Sequence, residues 1–152
     1  MKRNNDYLEI LLKQCDEIKE ILNSGKKASC ASVCYGEICQ RLTKDFLPPV
    51  EREDIASISY ALLEICRRCS EYVSTNNKTN ENILYQINQL HCLTKCVLEK
   101  KKTCEDEIRR FVSVNFKCGN EFERIDNKAG VMLNNSLRDY ILAIQTAFFK
   151  NL

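Results

Sequence analysis

The chain has 152 residues, 44% of them hydrophobic and 29% charged, with a net charge of +2. That length suffices for one domain, 1–152, with its own core, and the near-neutral balance gives no strong pull toward nucleic acid or anionic membranes. Four glycines and two prolines are too few turn-formers for an all-β fold, and no apolar run approaches the ~20 residues that span a bilayer.

In chain order, Tyr7, Leu8, Leu11, Leu12, Cys15, Ile18, Ile21 and Leu22 recur at three- and four-residue spacing. They predict an amphipathic helix over residues 6–23, ended at Gly25. Residues 28–46 repeat the pattern with Cys30, Cys34, Ile38, Leu42 and Phe46, weakened at Gly36 by about 1 kcal/mol relative to alanine. Pro48 and Pro49 stop that helix, because proline lacks an N–H and disfavours the α region for the residue before it. Glu51, Glu53 and Asp54 then open a third helix, where carboxylates favour the positive end of the helix dipole. Its stripe is Ile55, Ile58, Leu62, Ile65, Cys66, Cys69 and Val73, and residues 74–80 read as a loop.

The fourth segment carries Ile83, Leu84, Ile87, Leu90, Thr94, Val97 and Leu98, followed by Lys100-Lys101-Lys102, Glu105-Asp106-Glu107 and the apolar Ile108, Phe111, Val112 and Val114. The pattern leaves open whether this is one long helix or two. Cys118-Gly119-Asn120 reads as a break, and Gly130 as another weak point. Leu133, Leu137, Tyr140, Ile141, Ile144, Phe148 and Phe149 close the chain as a helix over 132–149. About six helices with short connections form an up-and-down bundle, and the 74–80 loop divides it three plus three.

The corner between the second and third helices carries a more specific pattern. Leu42, Phe46, Pro49, Arg52, Glu53, Asp54 and Ile55 stand in the order and spacing of the PhoU-like family of phosphate-transport regulators. The chain resembles that family best over residues 37–73. The resemblance implies an all-α, single six-helix antiparallel bundle of two three-helix halves. It also implies a non-catalytic regulatory or accessory role in phosphate transport, through helix-surface docking to a phosphate permease or signalling protein. The membrane would be reached only through that partner. Several members of the family bind iron or zinc through acidic pairs spaced i, i+4, which aim two carboxylates at one patch. Here the matching positions are Ala28, Ser32, Leu63 and Arg67, and by a looser alignment Asn134 and Arg138. None is acidic, and an arginine repels a cation. The family's carboxylate metal site is therefore not expected, and no cofactor is expected from it.

Ten cysteines supply the alternative, a cysteine-dependent metal-binding or metal-sensing bundle holding zinc or iron. Cys30/Cys34, Cys66/Cys69 and Cys92/Cys96 have helical spacing, with His91 beside Cys92 as an extra ligand. Against this, cysteine is among the most buried residue types and fills cores as a small apolar group. The basic start, Met1-Lys2-Arg3, leads into a charged amphipathic segment and does not read as a signal peptide, so a cytoplasmic protein with reduced thiols is expected. Cys66-Arg67-Arg68-Cys69 has the Cys-x-x-Cys form but lies inside a helix with no strand before it. Arg67, Arg68, Arg109 and Arg110 read as surface charge, since neighbours on a helix point about 100° apart. No nucleophile, phosphate loop or His-Glu-x-x-His constellation is present, which argues against an enzyme. A homo-oligomer is compatible with a bundle whose apolar stripes stay exposed.

Overall fold

Each apolar stripe becomes the buried face of a helix. The computed structural model describes residues 2–25, 31–45, 47, 49–75, 80–101 and 104–150, leaving aside the side chains of 2–6, 31, 32, 49, 50 and 150. Six helices follow in order: α1 Lys2–Ser24, α2 Ala31–Lys44, α3 Pro49–Thr75, α4 Glu81–Leu98, α5 Glu105–Arg124 and α6 Lys128–Lys150. Among the described residues there is no strand. The all-α bundle expected from composition and periodicity is the observed fold.

The packing has an internal correspondence. α3 lies along α6 in the most extensive helix pair, and α1 lies along α4. These four make the central layer; α2 flanks α1 and α3, while α5 flanks α4 and α6. The first three helices therefore touch one another in the same pairings as the last three. Cys15, Cys66, Leu62, Leu90, Phe111, Leu137 and Tyr140, all fully buried, belong to one continuous core.

Buried polar pairs fix the helices lengthwise, because a buried donor or acceptor left without a partner is costly. Ser59 Oγ and Gln14 Oε1 lie 2.9 Å apart between α3 and α1. The Tyr140 hydroxyl donates to the Leu90 carbonyl oxygen at 3.0 Å and sits 2.8 Å from the Thr94 hydroxyl, tying α6 to α4. Tyr7 donates to Asp45 Oδ2 at 2.7 Å and holds the end of α2 against α1.

Several boundaries differ from the sequence expectation. α5 runs unbroken through Cys118-Gly119-Asn120. Cys118 and Phe122 continue the buried stripe of Ile108, Phe111 and Asn115, and packing along that face outweighs the weak propensity of one glycine. Gly130 lies inside α6 rather than at a weak end. A Cβ there would stand 2.5 Å from the Phe122 ring, so the close approach of α5 and α6 requires glycine. The segment after Leu98 is two helices. α4 ends in a Schellman turn: Lys101 N–H bonds to the Cys96 carbonyl at 2.9 Å and Lys100 N–H to the Val97 carbonyl at 3.1 Å. Ser74 and Thr75, expected in the loop, belong to α3, with hydroxyls bonded back to the Glu71 carbonyl. Asn80 caps α4 instead, its Oδ1 accepting from the N–H groups of Asn82 and Ile83 at 2.8 and 3.2 Å.

Candidate docking groove

α5 is a flanking helix, so only one of its faces is covered. Val112 and Phe116 are the apolar residues it leaves on the other side, and Phe116 is 71% exposed. Together with Ile141 and Leu142 of α6 they line a groove of about 460 Å³ between the two helices. Glu123 and Arg138 stand on its rim. Neither forms an ion pair among the described residues, although other surface charges do, such as Arg109 with Glu105 at 2.8 Å.

The floor of the groove is a polar cluster. Asn115 Nδ2 donates to Gln86 Oε1 at 2.8 Å and to the Asn134 carbonyl oxygen at 3.1 Å. Gln86 Nε2 donates to Asn134 Oδ1 at 3.1 Å, and Asn134 Nδ2 donates to the Asn115 carbonyl oxygen at 2.9 Å. These amides satisfy one another across α4, α5 and α6. What the groove offers a visitor is therefore the apolar ridge, the rim charges and the outer amides Asn120, Asn135 and Gln145. Sequence reasoning missed this cluster. Its only signal was three amides at helix positions in phase with apolar stripes.

The family-motif corner serves the chain turn. Arg52 Nη2 donates to the Leu47 carbonyl oxygen at 3.3 Å, Glu53 is exposed, and Asp54 and Ile55 are buried. Pro49 opens α3 as its first residue, where its missing N–H costs nothing. Phe46 and Cys30 lie outside the described residues. Of the positions matching family acids, Leu63 is buried, Arg67 pairs with Glu64 at 2.9 Å, Asn134 lies in the amide cluster and Arg138 lines the groove.

The buried thiols of the first three helices lie near one another, since Cys69, Cys15 and Cys34 each add to the rise of the Cys66 thiol behind its burial and Glu17. Cys15, Cys34, Cys66, Cys69 and Cys118 are buried on α1, α2, α3 and α5; Cys92 is exposed and His91 half-buried. Burial pushes the Cys15 and Cys69 thiols up to about 12 and raises Cys66 as well, which favours the neutral thiol over the metal-binding thiolate. Among the described residues no three His, Cys, Asp or Glu side chains gather as a ligand set. The spacing-based pair Cys92/Cys96 is not a unit: Cys96 is bonded to Cys104, a residue absent from the sequence candidates. The turn after α4 brings the chain back toward the start of α5, which sequence spacing does not encode. The expectation that every thiol is reduced is corrected at this pair.

No family model, curated protein or solved structure matches the chain.

Proposed function

We propose that this chain is a non-catalytic regulatory or accessory protein that works by docking a partner helix into the α5–α6 groove. The observation that carries the reading is Phe116, a large apolar side chain 71% exposed beside Val112 and Leu142. An amphipathic helix suits such a groove, because its apolar stripe covers the ridge while its polar face meets the rim. The complementary partner carries an acid toward Arg138 and a base toward Glu123.

The PhoU-like corner at Arg52-Glu53-Asp54-Ile55 supplies the setting. The partner would be a phosphate permease or its signalling protein, met in the cytoplasm. Among the described residues no helix is long and apolar enough to cross a membrane, so membrane association would come through that partner.

The test is phosphate uptake and its regulation in cells whose own copy is replaced by Phe116→Asp or Arg138→Glu. Loss of regulation with unchanged helicity and thermal midpoint supports docking. A deletion without any phosphate phenotype sinks the phosphate setting. Wild-type regulation by Phe116→Asp sinks the groove.

A further inference from the structure

Cys96 and Cys104 lie 8 positions apart, one in the last turns of α4 and the other immediately before α5. Their Cα atoms are 6.5 Å apart, and the structure joins their sulfurs. That separation lies within the span a disulfide bridges without moving the backbone.

Within the connection they enclose, the described residues 99–101 hold a specific conformation. Lys100 has φ +57°, in the left-handed region that a side-chain-bearing residue rarely adopts. This turn sets Lys100 Nζ 3.9 Å from Glu51 Oε1 in the first turn of α3. The α4–α5 connection thus touches the helix start that carries the corner motif. Lys100, Glu51 and Asp54 also line one small pocket with Val97 and Ala147.

Both redox states have a place to sit. Each sulfur lies within reach of the Lys101 carbonyl oxygen, Cys96 at 3.4 Å and Cys104 at 3.5 Å. As thiols, both have an acceptor at hand; as a disulfide, they tie the same turn covalently. A pair that is accommodated both ways is suited to cycling, and the rare disulfides of reducing compartments are of this transient kind.

We propose that Cys96 and Cys104 are a reversible oxidation site, whose two states tie and release the α4–α5 connection and with it the Lys100–Glu51 contact. The proposal stands independently of the groove. The oxidant is a low-molecular-weight disulfide such as oxidised glutathione. One cysteine thiolate attacks its S–S bond, forming a mixed disulfide and expelling one small thiol. The second cysteine thiolate attacks the protein sulfur of that mixed disulfide and expels the other small thiol. The protein loses two S–H bonds and gains one S–S bond. The oxidant's S–S bond is reduced, and both protons end on its two thiols. Cys96 and Cys104 are 7% and 4% exposed, so exchange follows opening of the connection, whereas exposed Cys92 reacts directly.

The test equilibrates the full chain with glutathione at graded ratios of oxidised to reduced form, quenches in acid, and maps the alkylated and cross-linked peptides by mass spectrometry. Amide exchange is read on each state at residues 99–101 and 51–55. The expected result is one cross-link, Cys96 to Cys104, formed and reversed across the series. Oxidation should slow exchange at Lys100 and Lys101 roughly tenfold or more. Cys92→Ser should leave the couple intact, and Cys104→Ser should abolish it while far-UV dichroism stays helical. Full alkylation of both cysteines at every ratio would overturn the proposal. So would a cross-link to Cys92, a bond that resists every ratio, or equal amide exchange in the two states.

Discussion

Asn115 and Asn134 exchange hydrogen bonds across the seam of α5 and α6. The Asn134 side-chain amide donates to the Asn115 carbonyl oxygen at 2.9 Å, and the Asn115 amide donates to the Asn134 carbonyl oxygen at 3.1 Å. Each side chain binds the backbone of the other helix, so the pair fixes register as a single side-chain contact would not. Gln86 of α4 joins it through Asn134 Oδ1. The cluster sits at a position where the family resemblance would have an acid.

An acid at that position should damage the fold. Asn134→Asp turns the donor facing the Asn115 carbonyl into a second acceptor, in a side chain only 4% exposed. The expected loss is about 2–3 kcal/mol, the cost of a buried polar group set against a like one. In urea unfolding the midpoint should fall with the slope unchanged. An unchanged midpoint would mean that the amide pair does not fix the seam.

Two glycines should respond in opposite directions to alanine. Gly36 lies inside α2 with nothing within 4 Å of an added Cβ, so Gly36→Ala should stabilise by about 0.5–1 kcal/mol. At Gly130 the added methyl would meet the Phe122 ring at 2.5–2.7 Å, and Gly130→Ala should destabilise by about 1–3 kcal/mol. Thermal midpoints of the two variants, measured side by side, check the sign of each.

That contrast marks what the sequence could express. Gly36 and Gly130 look alike in a periodic pattern, and only the neighbouring helix distinguishes them. The helices themselves were legible, because stripes such as Ile55, Ile58, Leu62 and Ile65 need only their own spacing to declare a buried face. Element ends were less so: Ser74 and Thr75 read as loop residues by composition but bond back into α3. The exposed ridge at Val112 and Phe116 was not legible either, since apolar residues on a helix suggest burial until the flanking position of α5 is known. Likewise Cys96 found Cys104 across a turn, whereas spacing paired it with Cys92 along the helix.

Helix ends offer a further check. α5 ends as α4 does, with Asn127 N–H bonded to the Phe122 carbonyl at 3.0 Å and Asp126 N–H to the Glu123 carbonyl at 3.2 Å. Asp126 has φ +54°, a conformation glycine adopts without Cβ strain. Asp126→Gly should raise stability by about 0.5–1 kcal/mol, the relief of strain less the added freedom of the unfolded chain. Chemical denaturation reads the change, and a loss of stability would show that the carboxylate has a partner worth more than the strain.

The buried thiols predict the alkaline limit of the fold. From an ordinary value of 9.0, burial pushes Cys15 up to about 12, with the Thr94 contact opposing, and Cys69 up to about 12. Cys118 also rises to about 12, by burial and then by Glu121, and burial raises Cys66. A raised value means that the fold favours the protonated form. The stability this supplies is fully present below pH 9 and is lost as pH climbs toward 12. Each such thiol steepens the decline by up to about 1.4 kcal/mol per pH unit. Urea midpoints should therefore be level from pH 7 to about 8.5 and drop sharply by pH 10. Cys69→Ala should lower the midpoint at neutral pH through its cavity, yet make the alkaline decline shallower than in the parent chain. A parallel decline in both proteins would show that Cys69 ionises as readily in the fold as in the unfolded chain, and that its surroundings admit water.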